Sequence, residues 1–222
     1  MTFTVYNRLS PRKVASIIRC FCEDITATAT YRLVGVSRNT INSYFNEFRL
    51  LIFEECLRET QQEFGEFEVD ESYFGAKRIR GKRGRGAAGK TPVFGLLKRG
   101  GKVFVSIVPN CSKEALMPII QGQILEGFTV HTDGWKAYDG LIVNGYDHYR
   151  VFHCENEFAR GKSHVNGIEA FWSFAKRRLA KFNGCSSKTF RLHLKECEFR
   201  FNHRNENLFQ IIKKLLKNNK RC

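Results

Sequence analysis

The sequence predicts a mixed α/β domain around a five-stranded sheet with flanking helices, preceded by a small helical region. Three observations carry this. Apolar residues recur at helical spacing over residues 10–60. From residue 66 the period becomes two, and beyond the third strand the pattern alternates helix and strand.

Ser10-Pro11 opens the first helix, on which Val14, Ile17, Ile18 and Phe21 share one face. A second helix follows Asp24, in DITATATYRL. Gly35 then marks a short turn, Ser37 an N-cap, and Ile41, Tyr44, Phe45 and Phe48 the buried stripe of a third helix. Helix, glycine turn, helix is the helix-turn-helix pattern, which an ordinary helical hairpin shares. In the DNA-binding version, Arg38, Asn39, Thr40 and Asn42 would face the major groove.

EFEVDESYFG alternates Glu66, Glu68 and Asp70 with Phe67 and Val69, as a strand does. TPVFGLLKRGGKVFVSIVPN reads as two strands joined at Lys98-Arg99-Gly100-Gly101. SKEALMPIIQGQI predicts a helix with Pro118 as a defect, FTVHTD a fourth strand ending at Asp133, and DHYRVFH a fifth. A long helix starts near Ser163, another covers TFRLHLKECEFRFNHR, and LFQIIKKLLKNNKRC is basic and amphipathic. The division expected is 1–62 helical, 63–205 the α/β domain and 206–222 a basic tail.

Hydrophobic residues make up 42% of the 222, enough for a folded core. There is no apolar run of about 18 residues to span a membrane, and the first six residues do not read as a signal peptide, so a cytosolic protein is expected. Lysine and arginine total 37 against 22 acidic residues, a formal charge of +15 that favours a polyanion such as DNA. The eight cysteines are scattered. His148, His153, Cys154 and His164 fall in one stretch but lack paired Cys-x-x-Cys spacing, so buried thiols and polar histidines are expected rather than zinc.

Three acidic residues occupy distinguished places: Asp70 on the first strand, Asp133 at the end of the fourth, Glu169 on the helix after the fifth. If the first and fourth strands are neighbours, both aspartates meet at one sheet edge and the helix can bring Glu169 over it. Carboxylates so crowded repel one another or take up protons, and hard divalent ions relieve this through oxygen ligands. Two Mg2+ or Mn2+ ions about 3.5–4 Å apart can clamp the attacking and leaving oxygens of a phosphoryl displacement. Any one of these carboxylates, alone, reads as a solvated surface group. Asn166 precedes Glu169 by one helical turn and can support or replace it as a ligand. Lys176, two turns beyond Glu169 on the same face, can hold a phosphate, or with Arg177 and Arg178 form a solvated basic face.

GAKRIRGKRGRGAAGK, residues 75–90, carries Lys77, Arg78, Arg80, Lys82, Arg83, Arg85 and Lys90 on glycine-rich chain without one acid. That composition suits phosphate tracking, or a solubilising loop.

VDESYFG, GKRGRGAAGK, VFGLLKR, TDGWKAY and HVNGIEAFWSFAKRRLAKFNG, in this order, resemble the DDE-type transposases of bacterial insertion sequences, in the group with an ISXO2-like transposase domain. The resemblance covers about residues 66–205. It implies an RNase H-like catalytic domain and DNA cleavage and strand transfer that depend on two Mg2+ or Mn2+ ions. By motif it makes Asp70, Asp133 and Glu169 the catalytic, metal-binding triad, with Lys176 the basic residue that follows and Asn166 an alternative third ligand. It implies DNA partners, both element ends and target, and a homodimer or higher oligomer, working at the nucleoid. The zinc ribbon of many wider-family members is missing here, which leaves end recognition to the helix-turn-helix, Arg177, Arg178 and the basic loop. A nuclease of the same fold without strand transfer, and a DNA-binding regulator without catalysis, are the alternatives. Gly134 would let substrate approach Asp133; Trp135 and Tyr138 are expected to pack beneath the site rather than stack on a flipped base.

Overall fold

In the computed structural model, residues 9–59, 62–75, 90–133, 138, 141–151, 165–182 and 184–219 are described. The chain divides into two compact units: Met1–Arg58 with His203–Cys222, and Glu59–Asn202.

The first unit holds α1 (Pro11–Cys22), α2 (Ala27–Val34), α3 (Arg38–Arg58) and α7 (Leu208–Asn219). Each of the first three helices starts on a hydroxyl: Ser10 accepts from Lys13 N, Thr26 from Ala29 N and Ser37 from Thr40 N. Such caps satisfy amides that the first turn leaves without partners. Gly35 ends α2 in the left-handed region at φ 64°, where a side chain would be strained. The core is aromatic: Phe21 of α1 meets Phe45 and Phe48 of α3 edge-on, each at 5.2 Å between ring centroids. Ile17, Ile41 and Ile212 are buried with them, each contributing about 1.5–3 kcal/mol by leaving water. The segment read as a basic tail is thus helical over Leu208–Asn219 and packs in this unit with α1 and α3.

The second unit is a five-stranded sheet in the order β3-β2-β1-β4-β5. Its strands are β1 (Glu66–Phe74), β2 (Thr91–Lys98), β3 (Val103–Ile107), β4 (Thr129–Asp133) and β5 (Asp147–Val151). β1, β2 and β3 are antiparallel neighbours, whereas β4 runs parallel to β1 and β5 to β4. The three strands, helix, strand, strand, helix expected from the sequence are found in that order, and the central β1 with this pairing is the RNase H-like arrangement. The β2–β3 hairpin closes at Lys98-Arg99-Gly100-Gly101, with Gly100 at φ 69°.

Both faces of the sheet are covered. One packs Phe67, Val69, Phe94, Leu96 and Val130 against Leu116, Met117 and Ile120 of α4 (Lys113–Gln123). The other packs Val93, Leu97, Val103 and Val105 against α5 (Asn166–Ala180) and α6 (Ser187–Asn202). Pro118 lies inside α4 on its exposed side, where the carbonyl that loses its amide partner is not forced into the core. α6 also closes the β3 edge. Asn202 accepts from Val103 N at 2.7 Å and donates back to Val103 O at 2.9 Å, and Glu198 accepts from Val105 N at 2.8 Å. Among the described residues, no helix is long and apolar enough to cross a membrane.

Candidate active site

Strand register does the first work. The parallel pairing of β1 with β4 runs to Val69 opposite Thr132, so the next residue on each strand, Asp70 and Asp133, stand side by side and share a face. Asp133 also pairs with Val151 on β5, and Asp70 with Gly95 on β2. Both aspartates therefore sit on interior strands of the sheet.

α5 crosses the face that carries Asp70. Trp172 donates from Nε1 to Asp70 Oδ2 at 3.1 Å. The indole reaches that far because Gly95 has no side chain: a Cβ there would stand 2.4 Å from Trp172 Cζ2. One turn earlier, Glu68 of β1 accepts from Ile168 N at 3.0 Å. Glu68 is 1% exposed, and Arg99 on the hairpin donates to its other oxygen at 3.2 Å. Glu169 lies between these two attachments, exposed, in the first turn of α5, where the helix dipole favours an anion. Asn166 begins the same helix and is also exposed.

The electrostatics follow from the crowding. Asp70 is pushed up to about 6, first by burial, with Asp133 and Glu169 adding like charge and the Trp172 hydrogen bond opposing. Glu71 is pushed up to about 8 by burial, then by Asp70 and Asp133, against the opposing pull of a hydrogen bond from the Tyr138 hydroxyl. Tyr138 is fully buried, in the packing role expected of it. Asp133 and Glu169 thus both lie close enough to act on Asp70. Among the described residues, however, no three His, Cys, Asp or Glu side chains stand together as a ready metal-holding group.

The basic residues separate. Lys176 is exposed, with Nζ 6.0 Å from the centroid of the Phe74 ring at the end of β1. Arg177 is exposed. Arg178 is turned inward, 6% exposed, with its guanidinium on Glu196 and on Cys197 Sγ, so it faces core and not DNA. Its place one residue after Arg177 on a helix puts it on the covered side. Arg38, Asn39 and Asn42 are exposed on the first turns of α3; the Thr40 hydroxyl is occupied by Ser37 at 2.9 Å. Lys90 is half-buried before β2, while Lys77, Arg78, Arg80, Lys82, Arg83 and Arg85 lie outside the described residues. So do Gly134, Trp135, His153, Cys154 and His164.

Sequence reasoning missed Glu68, Glu71, Gly95 and Trp172 as parts of the site. Glu68 had a signal, since it shares a strand face with Asp70 two residues on. The alternation by itself does not tell that α5 covers this face.

The ISXO2-like transposase domain matches residues 64–202. An uncharacterized transposase-like protein of Haemophilus influenzae is 41% identical over 117 residues, 52% of this chain and 94% of its own. An uncharacterized protein in the transposable element ISH50 of Halobacterium salinarum is 32% identical over 152 residues, 61% of this chain and 52% of its own. Among solved structures, a chain in the simian T-cell lymphotropic virus intasome with a PP2A regulatory subunit shows a looser likeness, with a TM-score of 0.40 at 11% identity over 89% of this chain and 74% of that one. The family match spans more than half the chain and contains Asp70, Asp133 and Glu169, and this chain therefore belongs to the ISXO2-like transposase family.

Proposed function

We propose that this chain is a DDE-type transposase that cleaves DNA at the ends of its element and joins them to target DNA. The observation that carries the reading is the parallel register setting Asp70 beside Asp133 beneath the helix that bears Glu169. Residues 1–62 recognise the ends, residues 63–205 perform catalysis and 206–222 form a basic C-terminal segment.

The donors fit divalent ions. Carboxylate oxygens are hard ligands, and a carboxyl driven up to about 6 by burial and two like charges gains most from a nearby cation. Asp70, Asp133 and Glu169 would hold two Mg2+ or Mn2+ ions, with Asn166 on the same helix turn as Glu169 as a further oxygen donor. Bound there, such ions would supply Lewis-acid activation and charge stabilisation for phosphoryl displacement. Trp172 orients the Asp70 carboxylate through its Oδ2 hydrogen bond. Lys176, two turns from Glu169, neutralises a non-reacting phosphate oxygen. Arg38, Asn39 and Asn42, exposed on α3, read base edges in this proposal; Thr40 serves chiefly as part of the cap. Arg177, Lys90 and the basic loop of Lys77, Arg78, Arg80, Lys82, Arg83 and Arg85 track the backbone. Two ends must be handled together, which calls for at least a dimer, acting on the nucleoid.

The test uses purified full chain and a supercoiled plasmid carrying the gene with its flanking DNA. Nicked and joined products are expected with Mg2+ or Mn2+ and none with chelator. Cleavage without joining would leave a nuclease, and Asp133→Asn cleaving like wild type would remove the catalytic assignment.

A further inference from the structure

We propose that Glu68 is a positioning residue that sets Glu169 over the aspartate pair, an inference that rests on the metal-site reading above. The first turn of a helix leaves amides without partners, and α5 has no cap of its own: Val165 at its N-cap makes no side-chain cap hydrogen bond. Glu68 supplies the acceptor from another element, taking Ile168 N at 3.0 Å, and Ile168 immediately precedes Glu169.

Two further observations show that this contact is built. Gly167 admits it, because a Cβ there would stand 2.8 Å from Glu68 Oε2 and 2.4 Å from Leu97 Cδ2. Arg99 completes it, donating to Glu68 Oε1 at 3.2 Å, so the buried carboxyl is engaged through both oxygens and fixed in rotation. Apolar packing alone would dock α5, since Ile168, Phe171, Trp172 and Ala175 are all buried against the sheet. Apolar contact tolerates sliding along the helix axis, and a hydrogen bond to one amide does not. Glu68 and Asp70 lie two apart on β1, and their partners Ile168 and Trp172 lie four apart on α5. Strand and helix are thereby pinned at two points with Glu169 between them.

The experiment is Mn2+ binding to the full chain without DNA, read by electron paramagnetic resonance of the free ion, with circular dichroism to establish folding. Glu68→Met keeps the length and loses the acceptor, and weakens Mn2+ about tenfold or more, the size usual for outer partners of metal ligands. Glu68→Gln keeps an oxygen for Ile168 N and restores binding to within about threefold of wild type. Gly167→Ala, which keeps the Glu68 carboxylate but sets a Cβ against its Oε2 and so displaces the helix start, weakens Mn2+ as Glu68→Met does, and decides the matter if Glu68→Met does not fold. A residue of merely structural importance would lower the melting temperature and leave the Mn2+ affinity of folded chain unchanged. Wild-type Mn2+ affinity in folded Glu68→Met, or in Gly167→Ala, overturns the proposal, as does Glu68→Gln failing as badly as Glu68→Met. Asp70→Asn and Asp133→Asn separate the two readings: if they too bind Mn2+ like wild type, the metal site itself is wrong, whereas if they lose it while Glu68→Met does not, only the positioning role falls.

Discussion

Gly95 lies opposite Asp70 on the neighbouring strand and directly beneath Trp172, whose Cζ2 would stand 2.4 Å from any Cβ at that position. The smallest residue of β2 is therefore what admits the indole whose N–H reaches the aspartate. Gly95→Ala should destabilise the chain by about 1–3 kcal/mol, the usual result of overpacking, and shift Trp172 away from Asp70. Urea melts followed by tryptophan fluorescence measure both. Gly122→Ala in α4 is the control: nothing lies within 4 Å of its Cβ, and it should be neutral or stabilising by up to about 1 kcal/mol.

Trp172→Phe keeps most of the ring packing and removes one donor from Asp70. That hydrogen bond favours the charged carboxylate, so its loss should move Asp70 above about 6. A carboxyl carbon titration by NMR in chelator reports the midpoint directly. An unchanged or lower midpoint would show that the bond does not support the charged form.

The site should also make stability depend on pH in a definite direction. Asp70 and Glu71 hold their protons more tightly folded than unfolded, so folding binds protons and stability falls as pH rises. The window runs from the usual carboxylate values to about 6 for Asp70 and about 8 for Glu71. In chelator, the melting temperature should therefore decline from pH 5 toward pH 8, and Asp70→Asn should flatten that slope. Mg2+ should raise the melting temperature more at pH 8 than at pH 5, with about 2.7 kcal/mol available at a hundredfold excess over its dissociation constant. Asp70→Asn should abolish most of that gain.

Glu196 is fully buried between Arg178 and Arg200, with Arg200 Nε at 2.9 Å. Glu196→Leu would leave two guanidiniums without their shared carboxylate. A loss of about 3–5 kcal/mol is expected, read as a large drop in the urea midpoint. Arg177→Ala, one residue away on the exposed side, should leave the midpoint unchanged and reduce the salt slope of DNA binding by about one phosphate contact.

The fold was legible because its signals are local. The change from helical spacing to alternation at residue 66, the glycine hairpin and the strand ending at Asp133 each mark an element without long-range information. What the sequence hid depends on neighbours across the sheet. Alternation along β1 assigns Glu68 to a face without telling what lies over it; β1 is the central strand and both its faces are covered, so Glu68 becomes a buried partner. Gly95 reads as an ordinary strand glycine until Trp172, 77 residues later, is known to lie above it. Arg178 belongs to a run of basic residues that composition cannot divide into inward and outward members. Helix phase divides them once α6 is in place.

The contacts of Asn202 and Glu198 with β3 have one more consequence. The amides of Val103 and Val105 already have acceptors, so a second copy cannot lengthen the sheet by adding a strand at that border. A paired complex of the kind proposed would have to form without β-augmentation there. Variants that strip those two side chains should gain a new route to self-association rather than lose an old one.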